Sequence, residues 1–332
     1  IIAGMKNRQE DSHMNIAEEL AGAKTVGITG HVRPDGDCVG SCMGLYNYII
    51  DNMPGIQVDV YLEKPGDEFG YINGIDEIKH EADDKAHDVF FVLDCSDMER
   101  FKPFVKCYNN SVKKICLDHH VSNGGFADAS VIMPDASSTC EVLYGTLDDS
   151  LISKNTAECI YTGIIHDTGV FKYSCTSADT MTIAGRMMEK GIAYSDIIDN
   201  SFYKKTYNQN QILGRALLES VLFYDGKCIF SAVNRKTMDF YGVDGKALGG
   251  IIEQLRLTDG VEVAIFLYET GIHEYKVSLR SKSYIDVSRI AMHFGGGGHV
   301  RAAGCTMHGT VHDIINNIGA QLELQMGKKI YD

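Results

Sequence analysis

Lys24-Thr-Val-Gly-Ile-Thr-Gly-His-Val-Arg-Pro-Asp-Gly-Asp37 joins an apolar run to a stretch of charged and helix-breaking residues. Lys24–Gly30 reads as a buried strand. Pro34 and Gly36 oppose a helix, so His31, Asp35 and Asp37 are expected on a loop. The same pattern recurs: Gln57–Leu62, Asp88–Leu93 (DVFFVL) and Lys113–Leu117 are three further strand candidates, the last two running straight into Asp94 and Asp118-His119-His120. Between and after them, Cys38–Ile50, 137–149, 154–166 and 177–190 suit helices, with Ser153, Lys154 and Asn155 as a start signal. Strands alternating with helices predict an α/β domain with a parallel sheet covered on both faces.

The second half changes character. After Lys204–Asn210 come a helix near 211–219 and two hairpin-like pairs. Val221–Tyr224 and Lys227–Val233 meet at Asp225-Gly226, and Val261–Tyr268 and His273–Leu279 meet around Glu269–Gly271. This predicts a smaller α+β domain, with residues 1–200 and 201–332 as the two parts and the boundary near 195–210. At 332 residues the chain is long enough for two cores. With 44% hydrophobic and 23% charged residues it is neither disordered nor fibrous, and no run reaches the roughly 18–20 apolar residues of a membrane helix. Lys6, Arg8, Glu10 and Asp11 interrupt the apolar start, so no signal-peptide core is expected. Ten scattered cysteines without a CxxC pair read as reduced residues of a cytoplasmic protein. A net charge of −14 argues against sequence-independent binding of long nucleic acid, while a small anion held by metal ions remains compatible.

Four acidic or histidine clusters carry the chemistry. Taken singly, His31…Asp37 is a polar loop, Asp94 a helix cap, Asp118-His119-His120 a solvated turn. Asp167, in GIIHDTG, ends an apolar helix, where a carboxylate is electrostatically disfavoured. Taken together, three of the four follow strands, and the carboxyl ends of parallel strands line a common crevice. Asp and His donors suit Mn²⁺ or Mg²⁺, and paired ions about 3.5–4 Å apart clamp a phosphoryl group and acidify water. A fifth feature is Gly295-Gly296-Gly297-Gly298-His299-Val-Arg301-Ala-Ala-Gly304, where glycines let backbone N–H groups close on an anion. Arg280 in SLRSK is a second anion contact, or else one half of a salt bridge.

HVRPDGD, the Asp of VLDCSD, DHH and the Asp of GIIHDTG, followed by SLRSK and GGGGHVRAAG, resemble the DHH phosphoesterase superfamily with its C-terminal DHH-associated domain, in family order and over nearly the whole chain. The resemblance is strongest to the nano-RNase branch of oligoribonucleases and pAp phosphatases. It implies an active site in the interdomain cleft and two Mn²⁺ ions, with Mg²⁺ as the alternative. One ion would be held by His31, Asp35 and Asp94, the other by Asp37, Asp94, His119 and Asp167. His120 would serve the substrate phosphate or the leaving group, with Asp118 orienting the histidines. Arg280, Gly296, Gly297, Gly298 and His299 would hold the substrate's terminal phosphate or nucleotide.

The expected substrates are short single-stranded RNA and small nucleotides (pAp, pApA), with no long duplex, no membrane, and room for a homodimer. Competing readings are a stand-alone pApA or cyclic di-AMP phosphodiesterase and a non-catalytic metal-dependent nucleotide-binding protein. An inorganic pyrophosphatase is disfavoured by the GGGGHVRAAG segment. A RecJ-like exonuclease is disfavoured by the lack of a basic channel.

Overall fold

The computed structural model describes residues 14–327, so the N-terminal stretch considered for a leader lies outside the described residues. The chain divides into two compact units between Lys204 and Lys205. The first carries strands β1 (Thr25–Thr29), β2 (Gln57–Tyr61), β3 (Val89–Leu93), β4 (Lys113–Asp118) and β5 (Ala129–Ile132). With them come helices α1 (Ile16–Glu19), α2 (Gly36–Asn52), α3 (Val105–Asn110), α4 (Thr139–Tyr144), α5 (Lys154–Asp167), α6 (Ala178–Glu189) and α7 (Tyr194–Ile197).

The five strands form one parallel sheet in the order β2-β1-β3-β4-β5. Chain order reverses between β1 and β3, which makes that gap the ligand-binding switch point of a doubly wound sheet. All five residues of β3 are buried, as expected of a parallel strand covered on both faces. One face packs Ile28, Phe91 and Leu117 against Val39, Met43 and Leu143; the other packs Phe90 and Val92 against Phe101, Phe104 and Tyr108.

The close approach of α2 and α5 positions two of the candidate ligands, Asp37 and Asp167. A Cβ on Gly40 would fall 2.6 Å from the carbonyl oxygen of Cys159, and one on Gly163 would fall 2.6 Å from Asp37 Oδ1. Only glycine permits this contact, and it brings the first turn of α2 beside the last turn of α5.

The second unit holds helices α8 (Tyr207–Leu218), α9 (Arg235–Tyr241), α10 (Ile251–Arg256), α11 (Val287–His293) and α12 (Val311–Met326). Its strands are β6 (Val221–Phe223), β7 (Cys228–Val233), β8 (Val263–Gly271), β9 (Glu274–Ser281), β10 (Gly297–His299) and β11 (Ala302–His308). They form a mixed sheet ordered β10-β11-β9-β8-β7-β6, in which only β7 and β8 run parallel. Val277 and Leu279 face Ile290, Ile314 and Ile318 on one side; Ala264 and Phe266 face Ile212, Ile251 and Leu255 on the other.

Several expectations need correction. His31 lies on the expected loop, but Asp35 is the N-cap of α2 and Asp37 sits in its first turn. Pro34 stops short of the helix, and Gly36 is tolerated in the first turn because Asp35 caps it. The helix expected at 137–149 spans only Thr139–Tyr144. The second hairpin turns at Ile272-His273, since Glu269–Gly271 forms a register irregularity inside β8. The glycine run is partly strand: Gly297–His299 pairs with Ala302–Gly304 at the sheet edge. Strand β5 is an addition to the four strands expected of this unit.

Candidate metal centre

His31 follows β1, Asp94 follows β3 and Asp118 ends β4, so the switch point gathers all three. Asp94 is left-handed (φ 56°), a conformation Asp tolerates, and the cap of the next helical turn is Asp97 instead. Its carboxylate lies between two imidazoles. Oδ2 is 3.4 Å from His31 Nε2, and Oδ1 is 3.7 Å from His119 Nε2. On the first side, Asp35 Oδ2 is 3.5 Å from the same His31 nitrogen. On the second, Asp167 Oδ2 and Asp37 Oδ2 are 3.2 and 3.9 Å from His119 Nε2.

Both imidazoles are oriented by backbone. His31 Nδ1 is 2.9 Å from the Val32 carbonyl and His119 Nδ1 is 3.3 Å from that of Ala136. An Nδ1–H donated to each carbonyl leaves Nε2 facing the carboxylates, the arrangement a metal-binding histidine adopts. His120 approaches the Asp94 carboxylate through its other ring nitrogen, with Nδ1 3.6 Å from Asp94 Oδ1. Its Nδ1 is 2.8 Å from Asp118 Oδ1, while Asp118 is fully buried and also accepts from Asn123 Nδ2 at 2.8 Å and the His119 amide at 2.9 Å.

The charges are crowded. Burial, then the neighbouring charges of Asp94 and Asp167, push the Asp37 carboxyl well above its ordinary range. Burial would lower His31, but hydrogen bonds to Asp35 and Asp94 outweigh it and raise the imidazole to about 11. His119 is raised in the same way, burial being overcome by Asp167 and by the charges of Asp37 and Asp94. The hydrogen bond to Asp118 raises His120. Four carboxylates converging on two Nε2 atoms make a donor set that divalent cations neutralise. Among the described residues, three groupings bring metal-capable atoms within 4.8 Å of one another: His31, Cys38 and Asp94; Asp94, His119 and His120; and Asp37, His119 and Asp167.

Sequence reasoning misses some of the supporting residues. The Thr139 and Cys140 amides donate to Asp37 Oδ2 and Oδ1 at 2.6 and 3.0 Å, and Thr139 Oγ1 donates to Asp94 Oδ1 at 3.1 Å. The start of α4 thus grips two of the carboxylates. Ser138-Thr-Cys-Glu141 has the spacing of a helix-start signature, and the Ser138 hydroxyl accepts from the Glu141 amide, but nothing local says what the start faces.

In the second unit, His299, Ala302, Arg280 and Ala264 stand opposite one another across β10, β11, β9 and β8. Directly paired residues share a face, so His299 and Arg280 project on the same side with only the small Ala302 between them. Arg280 also forms a salt bridge, its Nε donating to Glu253 Oε1 at 2.7 Å. Arg301 is occupied structurally, donating to the Ile285 carbonyl at 2.7 Å. The glycines divide. A Cβ on Gly296 would meet the Gly304 carbonyl at 2.2 Å and one on Gly298 the Ala302 carbonyl at 2.5 Å, so the hairpin itself requires both. Gly297 has open space around it and no unusual φ.

This sheet, this switch point and this set of aspartates and histidines define a DHH-type protein. The DHH family, N-terminal domain, matches residues 25–164, and the DHHA1 domain matches residues 225–323. The chain thus carries a DHH family N-terminal domain followed by a DHHA1 domain. It is similar to the bifunctional oligoribonuclease and PAP phosphatase NrnA of Bacillus subtilis, at 25% identity, over 86% of this chain and 90% of that one. The protein of the same name from Thermus thermophilus is 27% identical over 85% of this chain and 84% of its own. An exopolyphosphatase-related protein from Bacteroides fragilis shares the fold at a TM-score of 0.81 and 25% identity, covering 93% of this chain and 94% of that chain.

Proposed function

We propose that this chain is a metal-dependent phosphoesterase that hydrolyses short oligoribonucleotides to mononucleotides and removes the 3′-phosphate of pAp. The observation that carries this reading is the position of Asp94, one carboxylate oxygen turned to each of two imidazoles that carry their own sets of aspartates. His31, Asp35 and Asp94 would hold one ion, and Asp37, Asp94, His119 and Asp167 the other; Mn²⁺ is the first choice and Mg²⁺ the second. When bound, such a pair supplies an acidified water and charge neutralisation at the phosphoryl group.

The protein's own residues supply the rest. His120, tied through Nδ1 to Asp118 and with a side chain 40% exposed, presents Nε2 to the phosphate and hands a proton to the departing ribose oxygen. Asp118 holds the ring in that orientation. The face shared by Arg280 and His299, with the open backbone at Gly297, binds the terminal phosphate or nucleotide. The similarity to the NrnA proteins supports the substrate class. Ten free cysteines, nine of them buried, suit a reducing cytoplasm. Among the described residues no helix is long and apolar enough to cross a membrane.

The test is a panel of di- to decaribonucleotides, pAp, pApA and cyclic di-AMP under one Mn²⁺ condition. Release of mononucleotides from the dinucleotide and of phosphate from pAp supports the reading. Turnover of pApA or cyclic di-AMP alone would replace it with the narrower phosphodiesterase, and binding without turnover would make the chain a nucleotide-binding protein.

A further inference from the structure

Cys38 follows Asp37 in the first turn of α2, and its thiol is fully buried beneath the candidate metal centre. Its Sγ lies 3.8 Å from the His31 carbonyl oxygen. It also lies within 4.8 Å of both a His31 ring nitrogen and an Asp94 carboxylate oxygen. A Cβ on Gly30 would fall 2.3 Å from this sulfur, so the chain leaves room for the thiol at the end of β1. Buried Cys42 and Cys95 belong to none of the three metal-capable groupings, and Cys38 is the one cysteine among the described residues that does.

Donors sharing a tetrahedral ion through N and S bonds of about 2.0–2.3 Å sit about 3.6 Å apart. The His31–Cys38–Asp94 grouping needs a contraction of at most about 1.2 Å to meet that spacing. Asp35 Oδ2 approaches His31 Nε2 at 3.5 Å, and 60% of its side chain is exposed.

We propose that Cys38 is a fourth donor to the ion held by His31, Asp35 and Asp94, and that it makes this position favour thiophilic divalent ions (Co²⁺, Fe²⁺, Zn²⁺) over Mg²⁺. This rests on the two-ion reading of the centre. The step is an exchange without electron transfer: the S–H bond breaks, the metal–sulfur bond forms and the proton passes to solvent. Thiolate sulfur is a soft donor, so only an ion with real affinity for sulfur displaces the proton of the thiol. Mg²⁺, a hard ion, leaves the thiol protonated.

The experiment titrates the metal-free protein with Co²⁺ alone and reads two regions of the absorption spectrum. Visible d–d bands report occupancy whatever the ligands; a near-ultraviolet sulfur-to-cobalt charge-transfer band reports the thiolate. The wild type is expected to show both, with one proton released per thiolate formed. Cys38→Ser and Cys38→Ala should keep the visible bands and lose the near-ultraviolet band, while Cys42→Ser keeps both. Visible bands without the near-ultraviolet band in the wild type, or its persistence in Cys38→Ala, would overturn the assignment while leaving the two-ion reading intact. No Co²⁺ bound by the wild type, or binding undiminished in His31→Ala, would sink the two-ion reading and this inference with it.

Discussion

Gly36 and His166 meet face to face: a Cβ on Gly36 would lie 2.1 Å from His166 Cγ. Each residue immediately precedes a candidate ligand, Asp37 on α2 and Asp167 on α5. His166 is held by Phe69 and Phe202, whose rings lie 5.3 and 5.4 Å away, and its Nε2 is 3.1 Å from Ser201 Oγ. The contact therefore sets the spacing of two carboxylates that sequence separates by 130 positions (167 − 37).

Gly36→Ala should push α2 and α5 apart at this point. Loss of support for ligands typically lowers metal affinity or activity about 10–100-fold. Adding His166→Ala should restore much of what Gly36→Ala removes. Isothermal titration with Mn²⁺ across the double-mutant cycle measures this, and additive losses would show that the two side chains act independently.

Asp94→Asn changes charge at nearly constant shape, at the carboxylate between the two imidazoles. The expected variant folds normally, binds fewer than two ions and loses turnover. Metal content by elemental analysis, beside circular dichroism, checks it; near wild-type turnover with two ions bound would refute the bridging role.

His119 and His120 should separate. His119→Ala is expected to weaken Mn²⁺ binding, since its Nε2 faces Asp37, Asp94 and Asp167. His120→Ala should keep the ions and lower kcat by about 10²–10⁴-fold, the usual contribution of a positioned proton donor. Asp118→Asn should resemble His120→Ala because it removes the group that orients the ring. Equal metal loss in His119→Ala and His120→Ala would contradict the division.

The end-holding role proposed for the second unit predicts that cleavage weakens from dinucleotides to decanucleotides. The net charge of −14 disfavours each added phosphate. Gly297→Ala should raise KM for dinucleotides without lowering Tm, because its position has no packing requirement for glycine. Arg280→Ala is a less clean probe, since it also strips Glu253 of one partner. kcat/KM against length decides, and a flat or rising profile would defeat the idea.

Stability should fall with mild acid through His87, a buried imidazole whose Nε2 is 3.0 Å from Asp59 Oδ2. Burial holds its pKa below the ordinary 6.5, against the pull of Asp59. With the folded value depressed, the unfolded chain binds the extra proton first, so stability is full above about 6.5 and declines as pH falls below it. Asp59 adds a second loss at lower pH. Burial would raise it, but hydrogen bonds from Lys85, His87 and Lys79 hold it at about 2, so its stabilisation disappears between its ordinary value of 3.8 and about 2. Melting curves from pH 7.5 to 5 should show a Tm decline in the wild type that is smaller in His87→Gln.

Local signals determined a good deal. The apolar runs of β1, β3 and β4 mark a covered parallel sheet because only strands buried on both faces lack alternation. Aspartates and histidines directly after those runs imply a shared crevice, since parallel strands all end on one side. Asp167 stood out because a carboxylate at a helix C-terminus opposes the dipole. Tertiary structure alone decided which oxygen of Asp94 faces which imidazole, that α4 binds Asp37 through its first amides, and that α2 and α5 meet at Gly40, Gly163, Gly36 and His166. It also turned part of the four-glycine run into an edge strand, because the pairing of Gly297–His299 with Ala302–Gly304 and the room beside their carbonyls exist only once both strands are in place. Periodicity and spacing report what a segment does within a few residues, whereas these contacts join positions scores of residues apart and depend on backbone distances that no local pattern carries.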